Sequence, residues 1–294
     1  MPPSGGSWAI KNQAEKLAAE HGFTALPICP KTIAERAGIM IMALPSDVVS
    51  CSGRLIRHGD DFGIMYATYV QSEGFQRFSI AHELGHYFLE GHPEAVVKDG
   101  MHESNAGYAS TSKYEREADT FAAALLMPED LFKAAARVRS FGLAGLTDLA
   151  NLCLTSLTST AFRWVELTSS PCAVVMTDGS MVLSASFSEA MKNAMSCPWM
   201  KDRPIPAGTI THEFVSDRER IAAGESTSGA SLASDWFGTD TEVRLREEVI
   251  GLGSYGRTLT LVVPAIRIED DFDPEDEAED EEYLVDRWTP RFRR

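Results

Sequence analysis

Three features that mark other classes of protein are missing from this sequence. No apolar run approaches the roughly 18–20 residues that a helix needs to cross a bilayer, which argues against a membrane-spanning chain. The five cysteines are scattered and form no CxxC pair, which favours a reducing compartment over a disulfide framework. The first residues carry neither the basic nor the apolar block of a signal peptide. We therefore expect a cytoplasmic protein with no membrane partner.

Positive charge is also scarce. The chain has 27 Lys and Arg against 43 Asp and Glu, for a net charge of −16. Nucleic-acid binding relies on cations that neutralise phosphates, so this balance argues against DNA as a partner. Half of the excess lies in residues 268–294, which hold twelve acidic residues and four arginines. We interpret this segment as an acidic tail with an aromatic and basic tip.

Two regions of different pattern precede the tail. Residues 1–170 are mostly helical in their apolar periodicity, with a few short strand candidates. Residues 171–267 begin with two alternating runs about Asp178-Gly179, which is a hairpin signature. The sequence therefore predicts an α+β protein with a larger, mostly helical domain, a smaller α+β accessory domain and the tail.

The first region ends in two short predicted helices, Leu146–Cys153 and Leu157–Thr168, arranged like a helix-turn-helix. Arg163 is the only cation between Thr147 and Leu167. DNA reading usually needs more positive charge than this, so we expect the two helices to pack against the protein instead.

A pentapeptide, HELGH from His82 to His86, lies in a segment predicted to be helical from about Phe75 to Glu90. Two histidines four residues apart share one face of a helix. They can bind one Zn²⁺ together, and Glu83 can take a proton from a water at the metal. The motif predicts zinc hydrolysis, with His82 and His86 as ligands and Glu83 as general base.

Catalytic zinc usually has three protein ligands, so a third must come from elsewhere. His92 stands at the spacing of the longer HExxHxxGxxH pattern. That pattern needs glycine where this chain has Leu89, so we expect the helix to continue there, which disfavours His92.

A second predicted helix, Lys113–Met127, offers other candidates. Glu115 and Asp119 are four residues apart and share a face, so Glu115 can be the ligand. Asp119 can then accept the free N–H of a ligating histidine and hold its tautomer. Glu117 would take the ligand position if the helix were rotated, and it stays open as an alternative.

The two motifs together resemble a known family. The segment Phe78–His86, FSIAHELGH, is followed about thirty residues later by Glu115–Pro128, EREADTFAAALLMP. This pairing is more specific than HExxH alone, and it resembles the ImmA/IrrE family of bacterial and phage metallopeptidases. The resemblance covers about residues 8–168.

The resemblance implies a minimal gluzincin-like zinc peptidase domain, mostly helical with a small sheet. It implies that His82, His86 and a glutamate of the second helix bind zinc and that Glu83 is the general base. Family members typically cleave a helix-turn-helix transcriptional repressor, which would be the protein substrate here. The alternative is a non-proteolytic regulator that binds a protein partner or DNA, although a binding-only site has no need of Glu83.

Three further expectations concern the surroundings of the site. Residues 94–112 are polar and irregular and are expected to form a loop. The predicted strand Gly63–Val70, if it is a sheet edge, could take the substrate as an added strand. The candidates for stabilising an oxyanion are Tyr87, Tyr108, Tyr114 and His92.

Overall fold

A computed structural model describes residues 5–104, 112–238, 243–253 and 256–265. The described part of the chain holds twelve helices and two sheets, which confirms the predicted α+β class. Residues up to Pro264 cluster into one compact unit. Of the described helices, none has the length and apolar character needed to cross a membrane. The acidic tail lies outside the described residues.

The first half of the unit contains eight helices and four strands. In chain order these elements are α1 Gly5–Glu20, α2 Pro30–Arg36, β1 Met40–Ala43, β2 Gly53–His58, β3 Asp61–Tyr66, α3 Glu73–Phe88, α4 His92–Val96, β4 Met101–Ser104, α5 Lys113–Leu126, α6 Glu129–Ala136, α7 Leu143–Cys153 and α8 Leu157–Leu167.

The second half is built on a larger sheet. Its elements are β5 Ala173–Asp178, β6 Met181–Phe187, α9 Glu189–Ala194, α10 Ile210–Phe214, α11 Arg218–Ala223, β7 Ser226–Leu232, α12 Ala233–Phe237, β8 Arg244–Gly251 and β9 Arg257–Pro264. The sheet order is β6-β5-β9-β8-β7, and every neighbouring pair is antiparallel.

The smaller sheet has the order β1-β3-β2-β4. Strand β3 pairs with β1 on one side and with β2 on the other. The strand is therefore not a sheet edge, and the condition under which it could take a substrate strand is not met. The edge on the side of β2 is β4, which lies within the stretch 94–112 that was expected to be a loop.

Helices α3 and α5 pack closely and carry the residues singled out by the sequence. Gly85 lies at their contact, where an added Cβ would stand 3.1 Å from the Cα of Ala118. Because neither residue has a bulky side chain, the two backbones approach each other closely. This approach brings the acidic face of α5 over the histidine face of α3.

The hydrophobic core is continuous across residue 170. Val165 of α8 belongs to the same buried cluster as Cys172, Val174 and Met176 of the second half. The boundary near residue 170 stays a prediction about domain organisation, but the two halves share apolar burial.

The end of the first half packs inward. Arg163 of α8 is buried, and its guanidinium donates to the Met127 carbonyl at 3.1 Å and to Glu15 at 2.8 Å. It also pairs with Glu166 at 3.0 Å. The cation therefore ties α8 to the rest of the fold.

Candidate metal centre

Helix α3 buries the HExxH motif at the centre of the first half. The helix begins after Ser72, whose hydroxyl accepts the backbone N–H of Phe75. His82, Glu83 and His86 are at most 1% exposed. Buried polar side chains need partners, so their contacts define the site.

Three donor atoms converge on one point. Nε2 of His82 and Nε2 of His86 are 3.1 Å apart. The carboxylate of Glu115 lies 3.3 Å from the first nitrogen and 3.2 Å from the second. Donors at about 2.0–2.1 Å from a tetrahedral zinc would lie about 3.3–3.4 Å from one another. Among the described residues, these three form the group of ligand atoms that could hold a metal ion.

Asp119 contacts the other ring nitrogen of His82. Its Oδ1 lies 2.8 Å from Nδ1, so the carboxylate accepts the Nδ1–H and Nε2 is directed at the centre. Burial alone would lower the pKa of His82, but Asp119 and Glu115 outweigh it and raise that pKa to about 10. This concentration of negative charge favours a cation at the centre.

Glu115 is held by a residue that the sequence did not suggest. His102 of β4 donates from Nε2 to Oε1 of Glu115 at 3.0 Å. Burial raises the pKa of Glu115, but its contacts with His102, His82 and His86 outweigh burial, so its net pKa lies well below the usual range. The dipeptide Asp99-Gly100 was the available signal, since such pairs mark a turn between strands.

Glu83 is fully buried, and among the described residues neither of its carboxylate oxygens has a hydrogen-bond partner. Burial raises the pKa of Glu83 to about 7, against the opposing charge of His82. The hydroxyl of Ser104 lowers this pKa by a smaller amount without reaching hydrogen-bond geometry. Gly53 of β2 makes room for the carboxylate, because an added Cβ there would lie 2.6 Å from Oε1.

The alternative ligands contact each other instead of the centre. Helix α3 ends at Phe88 and Leu89 is extended, so the expectation of a continuing helix is wrong. Gly91, with a φ of 76°, turns the chain and returns His92 to the far side of His86. Nδ1 of His92 lies 3.2 Å from Nδ1 of His86, and its Nε2 lies 3.2 Å from Oε2 of Glu117.

The oxyanion candidates divide by position. The ring of Tyr87 packs against Phe62 and Phe88. Tyr114 lines the cleft beside the centre, and its ring stands edge-on to His92 with centroids 5.0 Å apart. Tyr108 lies outside the described residues.

A cleft of about 1210 Å³ opens beside the three donors. The cleft is lined by Phe78, His102 and Asp119 from the first half and also by Met176 and Leu183 from the larger sheet. Both halves of the compact unit therefore shape the space next to the centre. The fold and this donor set define a metallopeptidase-like domain of the HExxH type.

Comparison with a family model agrees with this class. Residues 34–140 match the model Peptidase_M78, described as an IrrE N-terminal-like domain. The match spans α3 and α5 and so includes His82, Glu83, His86 and Glu115. It confirms the resemblance to the ImmA/IrrE metallopeptidases over residues 34–140. No curated protein matches the chain.

A solved structure shares the fold over most of the chain. It is titled a Mycobacterium tuberculosis transcriptional regulator and superposes with a TM-score of 0.58 at 15% identity. The similarity covers 87% of this chain and 76% of the other. At that identity the likeness concerns the fold alone.

Proposed function

We propose that this protein is a cytoplasmic zinc-dependent endopeptidase of narrow specificity that cleaves a helix-turn-helix transcriptional repressor. The observation that carries the proposal is the convergence of Nε2 of His82, Nε2 of His86 and the Glu115 carboxylate at 3.1–3.3 Å from one another. These distances and this mixture of nitrogen and oxygen donors fit catalytic zinc, which takes three protein ligands and keeps one position open.

The residues around the centre divide the work of peptide hydrolysis. A bound zinc ion would supply Lewis-acid polarisation of the scissile carbonyl and activation of a water molecule. Glu83 has both carboxylate oxygens free, so it accepts a proton from the attacking water and delivers it to the leaving amine. Asp119 and His102 hold His82 and Glu115 in place, which keeps the donors oriented during the reaction.

The surroundings suit a peptide substrate. The cleft of about 1210 Å³ exceeds the roughly 300–1,000 Å³ typical of small-molecule pockets. Strand β4 carries His102 and pairs with β2 on one side, and among the described residues no further strand covers its other side. An extended peptide could add to the sheet as a strand beside β4. The internal strand β3 could not receive it, because both of its sides are already paired.

The repressor as substrate follows from the family resemblance. The regulatory title of the neighbour in fold agrees with a role in gene expression. The test is to express the chain together with the helix-turn-helix protein encoded nearest to its gene, and to follow that protein by immunoblot and mass spectrometry. We expect cleavage at a defined bond, together with zinc in the purified chain in an equimolar amount.

The decisive variant is Glu83→Gln, with Glu73→Gln as its control. Glu73 is an exposed glutamate in the first turn of the same helix. We expect Glu83→Gln to retain zinc and to lose cleavage by about 10²–10⁴-fold, whereas the control cleaves normally. Full regulatory activity of Glu83→Gln in cells, with the repressor intact, would instead support the non-proteolytic regulator.

A further inference from the structure

Behind the metal centre, three side chains form a continuous line. The Nδ1 atoms of His86 and His92 are 3.2 Å apart, and Nε2 of His92 lies 3.2 Å from Oε2 of Glu117. We propose that His92 and Glu117 are a positioning pair, which fixes the tautomer of His86 so that its Nε2 lone pair is free for the metal. This inference rests on the proposed metal site and assigns a role to two residues on its far side.

The proton positions follow from Glu117. An ionised carboxylate only accepts hydrogen bonds, so Nε2 of His92 must carry the proton in this contact. A neutral imidazole protonated at Nε2 has its lone pair at Nδ1. That lone pair faces Nδ1 of His86, which must therefore be the donor. His86 then has no proton at Nε2, the atom that points at His82 and Glu115.

The opposite arrangement would work against metal binding. If His92 donated from Nδ1, the proton of His86 would sit on Nε2, inside the triangle of ligand atoms. A metal ion would have to displace that proton before binding. The carboxylate of Glu117 removes this competing tautomer through two hydrogen bonds.

The two ligating histidines therefore receive the same support by different routes. His82 donates directly to the carboxylate of Asp119 at 2.8 Å. His86 reaches the carboxylate of Glu117 only through the ring of His92. Both carboxylates belong to α5, and His92 is 3% exposed, so the intervening imidazole is enclosed by protein.

The position of His92 is set by the turn that follows α3. Leu89 is extended and Gly91 adopts a positive φ, which reverses the chain and places His92 at the start of α4. The ring of Tyr114 then stands perpendicular to it at 5.0 Å. The six-residue spacing from His86 suggested His92 as a third metal ligand. In the structure it places the imidazole of His92 behind His86, on the side away from the metal centre.

The test compares two substitutions at His92. In His92→Asn the amide oxygen takes approximately the place of Nδ1 and can accept from His86, whereas His92→Leu removes the acceptor. Zinc affinity of the full chain is measured by competition with a chromogenic chelator. We expect His92→Leu to weaken zinc binding by about 10–100-fold and His92→Asn to recover most of the affinity.

A second readout does not depend on metal or on activity. Long-range ¹H–¹⁵N NMR correlations of the metal-free chain report which nitrogen of His86 carries the proton. We expect Nδ1–H in the wild type and in His92→Asn, and a mixture of tautomers in His92→Leu. Glu117→Gln, which changes a partly exposed side chain, gives a milder variant that should also shift the tautomer mixture.

The outcomes separate this inference from the proposed function. Equal zinc affinity and an unchanged His86 tautomer in His92→Leu would overturn the positioning role. Equal losses in His92→Asn and His92→Leu would also overturn it, since they would indicate a packing role. Tight zinc binding without cleavage of any repressor would overturn the peptidase proposal and leave the positioning pair standing. A wild-type chain that binds no zinc would overturn both proposals.

Discussion

Two fully buried glutamates, one in each half of the molecule, differ in their hydrogen bonding. Glu247 of β8 accepts four hydrogen bonds, from the backbone N–H groups of Ile210 and Thr211, the Thr211 hydroxyl and the Trp236 indole. Glu83 of α3 accepts none at either oxygen from the part of the chain that the structure describes. Both are 0% exposed, so burial alone does not distinguish them.

The difference lies in how the cost of burial is met at the two carboxylates. Burying a charge is costly unless it is paired or hydrogen-bonded. Glu247 is compensated and fastens α10 and α12 to the larger sheet. Glu83 has no such hydrogen bonds among the described residues, so the fold tolerates a cost at the carboxylate that we propose as the proton acceptor.

The largest effect on stability should come from Glu247. Replacing it with alanine leaves four buried donors without an acceptor, which we expect to lower the free energy of unfolding by on the order of 4 kcal/mol. Urea unfolding followed by far-UV circular dichroism measures this. The control is Glu225→Ala, an exposed partner of Arg220, which should cost about 0.5 kcal/mol or less. Equal losses in the two variants would abolish the contrast with Glu83.

The effect of Glu83 on the free energy of unfolding should depend on pH. Its folded pKa of about 7 exceeds the ordinary glutamate value of 4.5, so the folded metal-free chain binds more protons between these values. Its burial therefore costs stability increasingly as pH rises from about 4.5 to 7, and the cost persists above pH 7. Glu83→Gln has no such cost, so its stability relative to the wild type should rise by roughly 3 kcal/mol over that window.

Urea unfolding of the metal-free chain at pH 4.5 and pH 8 checks this difference. Glu73→Gln, at the exposed start of the same helix, serves as the control and should show little change in its difference from the wild type. A Glu83→Gln difference that stays constant with pH would show that the carboxylate is compensated after all.

The parts of the site that could be predicted from the sequence lie within single helices. The periodicity of α3 and α5 sets which residues share a face, and so it groups His82 with His86 and Glu115 with Asp119. The same spacing predicts that Asp119 contacts a ligating histidine, and its carboxylate lies 2.8 Å from Nδ1 of His82. Local patterns carry this information, since a helix repeats every 3.6 residues.

The missed features depend on which segments become neighbours in space. His102 reaches Glu115 only because β4 joins the edge of the smaller sheet, and a four-residue segment with three polar residues gives little indication of a strand. The order β1-β3-β2-β4 likewise follows from tertiary packing, so an edge role for β3 could not be tested from its composition. The sequence predicts a helix that runs to Glu90 and ends at Gly91, and the earlier end at Phe88 was missed because Leu89 gives no sign of a turn.

A smaller effect is expected where the backbone of β2 meets Glu83. Gly53→Ala would place a Cβ 2.6 Å from Oε1, so the buried carboxylate would have to move. We expect a loss of about 1–3 kcal/mol in stability, and cleavage reduced by roughly 10²-fold because the general base is displaced. Gly63→Ala on the adjacent strand is the matched control, since its Cβ would meet only the Met40 carbonyl at 3.6 Å. Equal activity of the two variants would show that Glu83 has room to shift.

The smallest effect concerns one of the four bonds to Glu247. Thr211→Val keeps the shape of the side chain but removes the hydroxyl that contacts Glu247 at 2.8 Å and Thr260 at 2.8 Å. We expect a loss of about 1–2 kcal/mol, measured by urea unfolding, because three donors to the carboxylate remain. Thr227→Val on β7 is the control, since that hydroxyl has no partner among the described residues and its removal should cost less. If Thr211→Val lowered stability no more than Thr227→Val, the Thr211 hydroxyl would contribute little to stabilising the buried Glu247. The contrast with Glu83 would then depend on the other three bonds, from two backbone N–H groups and the Trp236 indole.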